Sequence, residues 1–401
     1  MLRIESIEAP DAVLWRLPPS KSHMIRWLVL AAQSEGTTEL IFEGVPGEDI
    51  CSMASCLEMM GAEIWRGRGS WIVKGAEDGL SIPDGDLDCG NSGTTARIVT
   101  AIAAGMRLPV TIDGDDSLRV RDGSDLVSVL TGLGCRISSD KLPCTVTGPI
   151  QPRRTELDQS SSSQPLTALL LASPGYPGGT ELQLTGEPVS RGYSRLTIEI
   201  CEACGSMNIP DGERLRLEPW SVLTPDRVVI PGEASLVPMS MLYDRLFGTE
   251  SKVDIPPGDP MMVEAIERIG AMERGIVNLR DASDIISPAA ALMAMEGGGT
   301  IAGARHARGK ESDRIGRTVG MLADFGMTSR AADDGIEIPG GQVPTRPKRP
   351  VETHSDHRLA MTAMILAGKV GGEIVNPEIC AVTDPGFIER LMAIGVGDVY
   401  V

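Results

Sequence analysis

The sequence predicts a mixed α/β (α+β) protein built from repeated units of similar length, and two observations lead to this fold class. First, an apolar helical stretch that ends at a glycine and is followed by a short apolar strand recurs six times, as in LEMMGAEI and VLTGLGCRI. A glycine just past a helix adopts the left-handed conformation that other residues resist. Second, successive glycines lie 56 to 73 residues apart, which suits a compact unit of one or two helices and several strands. These glycines are Gly61, Gly134, Gly205, Gly270, Gly326 and Gly395.

Length and composition limit the class of protein further. A chain of 401 residues has the length of two to three domains, and 42% hydrophobic residues are enough for a large core. Lys and Arg total 37 against 55 Asp and Glu, so a surface of net charge -18 repels nucleic acid and anionic lipid. Aromatic residues make up only 3%, too few for base-stacking platforms. A general nucleic-acid binder is excluded.

The sequence also indicates a cytoplasmic protein without a metal. No apolar run reaches the roughly 18 residues of a membrane span, and the first residues lack the basic-then-apolar order of a signal peptide. Eight cysteines in such a chain are expected to be reduced thiols. Cys201 and Cys204 form a CxxC, but no second pair or nearby histidine completes a tetrahedral zinc site, so we interpret the pair as a helix end.

Two proline-containing segments, residues 17–19 and 230–232, are candidate crossings between lobes, because proline and glycine fix turns where few contacts pass. If both are crossings, the N-terminal strand returns to the lobe made by the C-terminal half. Residues 340–350 are expected to form a surface loop.

Four segments place basic residues where apolar helical patterns begin. They are residues 20–26, 91–97, 310–314 and 355–358. A helix N-terminus carries partial positive charge, so Lys or Arg there costs about 0.3 to 1 kcal/mol unless an anion lies opposite. Backbone N–H groups, hydroxyls and cations together form a phosphate or carboxylate site. A solvated face or internal salt bridges would also explain these charges, but two of only seven lysines fall in these short segments, which favours the anion site.

Residue spacing within these segments points to acid or base chemistry. Ser22 and Arg26 are four apart, as are Lys310 and Arg314, and Glu311 and Arg314 are three apart, so each pair is expected to share a helix face. A glutamate between two cations can be tuned for proton transfer. A surface salt bridge is the alternative for this cluster.

Two further segments are candidate parts of the site. The serine run at 160–163, with Gln164, precedes the apolar PLTALLLA, so its hydroxyls are expected to line a site at a helix start; a linker is the alternative. Arg119 and Arg121 alternate as in a strand and are expected to point the same way, suited to bidentate contact with carboxylate or phosphate.

With these residues in view, the chain resembles the 5-enolpyruvylshikimate-3-phosphate synthase family. The matching motifs are PSKSHMIR, GNSGTTAR, GDDSLRVR, SSSSQPLTALLL, DASD, KESDRI and SDHRLAM, in family order over nearly the whole chain. The resemblance implies the inside-out α/β barrel of enolpyruvyl transferases, with two similar lobes of three βαβαββ repeats each that close on substrate. Lobe one would comprise residues 1–17 plus 233–401, and lobe two residues 18–232.

The resemblance also implies the activity. The family transfers the enolpyruvyl (1-carboxyvinyl) group of phosphoenolpyruvate to the 5-hydroxyl of shikimate 3-phosphate and releases phosphate, in the shikimate pathway to chorismate and the aromatic amino acids. No metal or organic cofactor is expected, and the protein is expected to be a monomer. Both substrates carry several negative charges, which accounts for cationic helix starts in an acidic protein.

Site residues follow from the matching motifs. The resemblance makes Asp284 of DASD the base, with Glu311 as proton donor and Lys21 assisting; Asp284 fits better than Asp281 by its distance before Lys310. Shikimate 3-phosphate would be bound by Lys21, Ser22, Arg26, Ser162, Ser163, Gln164, Ser190, Asp284 and Lys310. Phosphoenolpyruvate would be bound by Lys21, Asn91, Gly93, Arg121, Gln164, Arg314 and Arg358.

The sequence departs from the family pattern in places that concern the donor. Val382 or Thr383 stands where the family often has a lysine that contacts phosphoenolpyruvate, so weaker donor binding and an altered response to glyphosate-like inhibitors are expected. Ser283 replaces a usual proline beside Asp284, and His306 stands at an acceptor-site position that is often Asn or His.

Other functions compete with this interpretation of the sequence. A UDP-N-acetylglucosamine enolpyruvyl transferase would carry a reactive cysteine near Arg121, and none lies between Cys89 and Cys135. An RNA 3'-phosphate cyclase is opposed by the charge of -18 and by the absence of its nucleophilic His motif. Transfer to another acceptor, or a noncatalytic paralogue that binds a phosphorylated metabolite, stays open, although retention of the three catalytic candidates argues against lost catalysis.

Overall fold

The computed structural model describes residues 1–6, 15–76, 78–253, 260–271 and 275–393. The chain forms two compact units. The discontinuous unit comprises Met1–Pro18 with Gly232–Val401, and the central unit is Pro19–Pro231. Both boundaries fall within the proline-containing segments at 17–19 and 230–232, one residue from the expected lobe limits.

Strands and helices alternate along both units. The strands are β1 (Leu2–Ile4), β2 (Thr37–Ile41), β3 (Glu63–Arg66), β4 (Ser70–Lys74), β5 (Leu87–Asp88), β6 (Val110–Asp113), β7 (Arg136–Ile137), β8 (Cys144–Thr147), β9 (Arg154–Asp158), β10 (Thr180–Thr185), β11 (Arg214–Leu217), β12 (Arg227–Val229), β13 (Gly275–Asn278), β14 (Gly298–Ala302), β15 (Arg330–Ala332), β16 (Gly335–Pro339) and β17 (Gly372–Ile374). The α-helices are α1 (Lys21–Ala32), α2 (Glu48–Met59), α3 (Gly93–Ala103), α4 (Asp116–Arg119), α5 (Ser124–Gly132), α6 (Gln164–Ala172), α7 (Arg191–Ala203), α8 (Val237–Phe247), α9 (Pro260–Gly270), α10 (Ile286–Met295), α11 (Arg314–Asp324), α12 (His357–Val370) and α13 (Phe387–Ala393). Short 3-10 turns lie at Ser173–Gly175, Ala234–Leu236, Ser283–Ile285, Arg305–Gly309 and Pro377–Val382.

Three sheets share one plan. Their strand orders are β12-β2-β4-β3 and β5-β6-β8-β7 in the central unit, and β13-β14-β16-β15 in the discontinuous unit. In each sheet the first pair is parallel and the other two pairs are antiparallel. From β5 to β8, with the single turn α4 added, and again from β13 to β16, the chain runs strand, helix, strand, helix, strand, strand. This is the βαβαββ order expected for a repeat.

Smaller sheets complete the described part of both units. In the central unit, β10 pairs in parallel with β9 and antiparallel with β11. In the discontinuous unit, β1 pairs antiparallel with β17, so the first strand of the chain returns to the C-terminal half.

The helix-ending glycines were largely predicted correctly. Four follow a helix with φ between 75° and 103°, namely Gly61, Gly134, Gly205 and Gly326. The prediction was wrong at Gly270, the last residue of α9 itself, because helical bonding continues from the Ala271 N–H to the Glu267 carbonyl at 2.9 Å. The strand expected directly after Gly205 is also absent from the described residues there, since β11 begins only at Arg214. Gly395 lies outside the described residues.

Helices that are apolar on every side form the centre of each core. All of α10 is buried, as are eight of the nine residues of α6 and the first twelve of α12. Such helices belong in the interior. In the central unit α6 packs against α1, α3 and α7, and in the discontinuous unit α12 packs against α8, α10 and α11. The first turns of these packed helices, together with the residues just before them, carry most candidate site residues.

Other expectations can be compared with the described residues. Residues 340–350 form a mostly exposed loop, as predicted. All eight cysteines are free thiols. Cys201 lies in the last turn of α7 and Cys204 just follows it, which confirms the helix-end interpretation. Across the described ranges, no helix combines the length and apolar character needed to cross a membrane.

Candidate active site

The helix starts predicted from the sequence are confirmed. Helices α1, α3, α6, α11 and α12 all begin within or directly after the segments singled out by their basic or serine residues. Side chains of Ser92, Asp313 and Asp356 cap α3, α11 and α12 by accepting backbone N–H bonds. The candidate residues therefore form two groups, one in each unit.

In the central unit, Lys21 at the start of α1 is held by a carboxylate that the sequence analysis missed. Its Nζ donates to Oδ2 of Asp49 at 2.9 Å, and the Asp49 side chain is 5% exposed. The Lys21 side chain is 19% exposed. The ion pair thus orients Lys21 while leaving part of the side chain accessible. Asp49 lies 28 residues away in α2, so no local pattern linked it to Lys21.

Arg26 is a buried cation whose bonded partners are all neutral. Nε donates to Thr197 Oγ1 at 2.8 Å, and Nη1 donates to the carbonyl of Ser22 at 2.7 Å. Nη2 donates to the Tyr193 carbonyl at 3.0 Å and to Thr167 Oγ1 at 3.3 Å. Burial lowers the pKa of Arg26 to about 10. An anionic ligand near this guanidinium would supply the missing opposite charge.

Several candidate ligands of phosphoenolpyruvate, the enolpyruvyl donor, come together around the start of α3. Asn91 accepts from Arg121 Nη2 at 2.5 Å through Oδ1, and its amide donates to Asp115 at 2.7 Å. A Cβ on Gly93 would lie 3.1 Å from Arg97 Nη1, 3.4 Å from Arg121 Nη1 and 3.9 Å from Gln164 Oε1. Only glycine therefore leaves this polar corner open to a ligand.

The expectation that Arg119 and Arg121 lie on a strand and point the same way was wrong. Residues 116–119 form the helical turn α4, because Asp115 accepts from the Leu118 N–H at 2.7 Å and caps it. Arg119 points to Asp113, with 2.7 Å between Nη2 and Oδ2, and is largely exposed. Arg121 turns instead toward Asn91, so only Arg121 joins the site.

The candidate serine residues lie just before α6 and α7, in the central unit. Ser162 Oγ accepts from the Gln164 N–H at 3.1 Å, and the Gln164 amide donates to Thr94 Oγ1 at 3.1 Å, which links the starts of α6 and α3. Ser163 is buried. Ser190, also buried, precedes α7 with φ 52°, a left-handed conformation that is uncommon for non-glycine residues.

In the discontinuous unit, one guanidinium collects three carboxylates. Arg314, 1% exposed, donates to Asp284 at 2.7 Å, to Asp356 at 2.9 Å, and to Glu311. Burial opposes the charge of Arg314, but the three carboxylates outweigh it and raise its pKa well above the usual value. Asp284 and Glu311 keep 18% and 13% exposure, so both remain reachable by a ligand.

Lys310 and Glu311 lie beside this cluster, but not on the helix. The expected shared helix faces of Lys310 with Arg314 and of Glu311 with Arg314 were both wrong, because Asp313 accepts from the Gly316 N–H at 3.1 Å and starts α11 only at Arg314. Glu311 contacts Arg314 from the segment before the helix. Lys310 Nζ is still 3.9 Å from Asp284 Oδ1, so it adds a second cation to that carboxylate. Burial, and then Lys310, lower the pKa of His306 to about 4, so this histidine is neutral at neutral pH.

Asp356 is a second organising residue that the sequence analysis did not single out. Fully buried, it accepts from Arg314 Nε and Ser312 Oγ at 2.9 Å each, and it caps α12 by accepting from the Arg358 N–H at 2.9 Å. Its position as an N-cap in SDHR was a usable signal. Arg358 is itself buried and donates to Ser235 Oγ at 2.6 Å.

The described residues contain no group of three or more His, Cys, Asp or Glu side chains arranged to hold a metal ion. The candidate site residues offer cations, carboxylates and hydroxyls at helix starts. Such a set can bind multiply charged anions and move protons.

Solved structures define the class of fold. The EPSP synthase from Acinetobacter baumannii matches with a TM-score of 0.77 at 22% identity, covering 100% of this chain and 99% of that chain. The enolpyruvyl transferase NikO from Streptomyces tendae matches with a TM-score of 0.76 at 14% identity, covering 100% and 98%. The fold is that of the enolpyruvyl transferases, which confirms the expected fold class.

Sequence comparisons give the family. The model of EPSP synthase (3-phosphoshikimate 1-carboxyvinyltransferase) matches residues 8–239 and 259–391. The 3-phosphoshikimate 1-carboxyvinyltransferases of Halobacterium salinarum and Methanothermobacter thermautotrophicus are each 31% identical over 95% of this chain, and cover 96% and 95% of their own lengths. This chain belongs to the EPSP synthase family.

Proposed function

We propose that this protein transfers the enolpyruvyl group of phosphoenolpyruvate to the 5-hydroxyl of shikimate 3-phosphate and releases phosphate. Family membership gives the reaction, and the observation that carries it to these residues is the cluster around Arg314. There, two partly exposed carboxylates, Asp284 and Glu311, are held on one buried guanidinium. The reaction needs one group to accept a proton and another to deliver one.

Asp284 is the base in this proposal. Its 18% exposure lets a substrate hydroxyl approach, while Arg314 and Lys310 fix its position. Removal of the hydroxyl proton allows the oxygen to attack phosphoenolpyruvate, and the methylene carbon gains a proton from Glu311. The resulting tetrahedral intermediate then loses one proton of its new methyl group to the Glu311 carboxylate as phosphate is expelled, which restores the carbon–carbon double bond in the product. Lys21, oriented by Asp49, assists by placing positive charge near the phosphorylated groups.

In this proposal the candidate site residues also bind the two anionic substrates. For shikimate 3-phosphate they are Lys21, Ser22, Arg26, Ser162, Ser163, Gln164, Ser190, Asp284 and Lys310; for phosphoenolpyruvate they are Lys21, Asn91, Gly93, Arg121, Gln164, Arg314 and Arg358. The uncompensated charge of buried Arg26 supports the first assignment. The open corner at Gly93 beside Arg121 and Gln164 supports the second.

The wider assignment is part of the same proposal. The discontinuous and central units would be the two lobes of three repeats each. The protein would act in the cytoplasm as a monomer and without a metal or organic cofactor, since side chains can supply both the proton transfers and the charge neutralisation.

The test is phosphate release by the purified protein given phosphoenolpyruvate and shikimate 3-phosphate, separately and together. Release only with both substrates is expected. Arg349→Met is a matched control, because Arg349 is 79% exposed and pairs only with Asp324 among the described residues. Binding of shikimate 3-phosphate without release would contradict catalysis and favour a noncatalytic paralogue. Release with UDP-N-acetylglucosamine instead would indicate another acceptor.

A further inference from the structure

A second buried polar cluster lies close to Arg358 in the discontinuous unit. Helix α12 packs against the turn Pro377–Val382, which leads directly into Thr383 and Asp384. Both side chains are about 1% exposed. Asp384 accepts a hydrogen bond from Arg390, whose guanidinium also lies 6.0 Å from the centre of the Phe387 ring. The cluster therefore contains a buried carboxylate and a guanidinium that is 27% exposed.

Arg358 interacts electrostatically with this pair. Burial raises the pKa of Asp384, and the nearby charges of Arg390 and then Arg358 act against that rise. Asp384 thus stands within electrostatic reach of two guanidinium groups. One of them, Arg358, is a candidate phosphoenolpyruvate ligand, while Arg390 has no role in the reaction as described above.

The cluster has more buried donors than acceptors. Among the described residues, Arg358 Nε, Thr383 Oγ1 and Arg390 Nε are buried and have no hydrogen-bond partner. Buried donors are nearly always satisfied in folded proteins, so three in one neighbourhood indicate that acceptor atoms from a ligand belong there. Guanidinium groups suit the oxygens of phosphate or carboxylate, which accept two bonds in parallel.

Local geometry keeps Arg390 available. A Cβ at Gly386 would lie 3.1 Å from Arg390 Nη1 and 3.9 Å from Asp384 Oδ1, so the glycine leaves room for the guanidinium beside the carboxylate. The Arg390 side chain is neither fully buried nor fully exposed.

We propose that Arg390, together with Arg358 and Thr383, binds an oxyanion of phosphoenolpyruvate, and that Asp384 sets the affinity by competing for the same guanidinium. This inference rests on the proposed function and adds to it a donor-site residue absent from the family motifs identified above. It also explains how a chain with Val382 and Thr383 where the family often has a lysine could still place a cation at the donor.

Because Asp384 and the ligand compete for Arg390, two substitutions are expected to change KM for phosphoenolpyruvate in opposite directions. Arg390→Met removes the cation, and loss of a charge-assisted bond raises KM for phosphoenolpyruvate by on the order of tenfold to a hundredfold. Asp384→Asn keeps the shape but removes the competing charge, so KM for phosphoenolpyruvate falls. KM for shikimate 3-phosphate stays unchanged in both. If the Asp384–Arg390 ion pair had only a structural role, both substitutions would instead raise KM for phosphoenolpyruvate.

The experiment measures kcat and both KM values for the wild type, Arg390→Met, Asp384→Asn, the double variant and the Arg349→Met control. Phosphoenolpyruvate is also titrated directly without shikimate 3-phosphate, so that no turnover occurs during the binding measurement. If the wild type does not turn over, the proposed function fails and direct titration alone tests Arg390. If the wild type is active and Arg390→Met keeps the wild-type affinity for phosphoenolpyruvate, the Arg390 proposal is overturned.

Folding of the variants does not decide the outcome. Arg390→Met leaves Asp384 buried without its partner and is expected to lose stability for that reason. The double variant Asp384→Asn with Arg390→Met has no unpaired charge, so it carries the test if the single variant fails to fold. A raised KM for phosphoenolpyruvate in the double variant is expected, and a wild-type value there overturns the proposal. Partial rescue by Arg390→Lys supports a charge-based role.

Discussion

Two buried arginines, one in each unit, show how differently the same side chain can be used. Arg26 in the central unit is bonded to hydroxyl and carbonyl oxygens, and burial lowers its pKa to about 10. Arg314 in the discontinuous unit is bonded to three carboxylates, which raise its pKa above the usual value despite burial. Arg26 carries a charge that its own unit does not neutralise, whereas Arg314 is more than neutralised.

The two surroundings suit different tasks: ligand binding for Arg26, and the positioning of proton-transfer groups for Arg314. A buried cation among neutral oxygens gains most when an anionic ligand arrives, so we expect Arg26 to serve ligand binding. A cation surrounded by carboxylates has little attraction left for an anion, but it fixes the positions of Asp284 and Glu311. We therefore expect Arg314 to be a positioning residue for those carboxylates as well as a donor-site candidate.

The largest expected effect comes from replacing Arg314 with methionine. This change leaves three carboxylates together without their cation, and breaking such a buried arrangement costs about 3 to 5 kcal/mol in the free energy of unfolding. Carboxylates that repel one another bind protons more readily, so the loss should shrink between about pH 8 and about pH 5. Denaturant unfolding at both pH values measures it, with Arg349→Met as the surface control. A loss of the same size at both pH values would contradict carboxylate repulsion.

The second expected effect is on turnover. Glu311→Ala and Lys21→Met should each lower kcat by on the order of a hundredfold or more, because each removes a group assigned to proton transfer or its assistance. Stopped-time phosphate release at saturating substrates measures kcat. A near-normal rate in either variant would remove that residue from the mechanism. Glu311→Gln separates charge from shape, and it should be as slow as Glu311→Ala if proton donation is the role.

The contrast predicts a third, different result for Arg26→Met. Removing this cation leaves no unpaired carboxylate, and Thr167 and Thr197 can still bond to each other at 3.0 Å. The unliganded protein should therefore lose no more than about 1 kcal/mol of stability, while affinity for shikimate 3-phosphate falls by about 1.5 to 3 kcal/mol. Thermal unfolding and calorimetric titration check the two halves. A variant that binds the acceptor normally would overturn the assignment of Arg26.

The sequence was informative where the cause is local. Helix starts such as Gly93 and Arg314 could be predicted, since a capping side chain and an apolar pattern lie within a few residues of each other. The α4 turn was missed because alternation of Arg119 and Arg121 looks like a strand unless the Asp115 cap is recognised. Local pattern also overextended α11 to Lys310, which the Asp313 cap excludes.

Contacts between distant segments were beyond such patterns. Lys21 with Asp49, and Arg314 with Asp284 and Asp356, join residues 28 to 42 positions apart. Packing of whole helices creates these pairs, and the spacing of residues in one helix carries no information about them. The family resemblance identified Asp284 and Glu311 as the candidate base and proton donor. Only the structure shows that one guanidinium holds both.

The smallest expected effect concerns the corner beside Gly93, which distinguishes a binding role from a structural one in the central unit. In Gly93→Ala the added methyl would lie 3.1 Å from Arg97 Nη1 and 3.4 Å from Arg121 Nη1, so long flexible side chains must shift by a few tenths of an ångström. Folding should be little affected, since Gly93 has ordinary helical geometry at the start of α3. KM for phosphoenolpyruvate should rise by about threefold to thirtyfold, the range of a weakened rather than a lost charge-assisted contact, with KM for shikimate 3-phosphate unchanged. Steady-state kinetics with each substrate varied in turn measures both values. An equal rise in both KM values would show that the methyl disturbs the unit as a whole, and would withdraw Gly93 and its neighbour Arg121 from the donor site specifically.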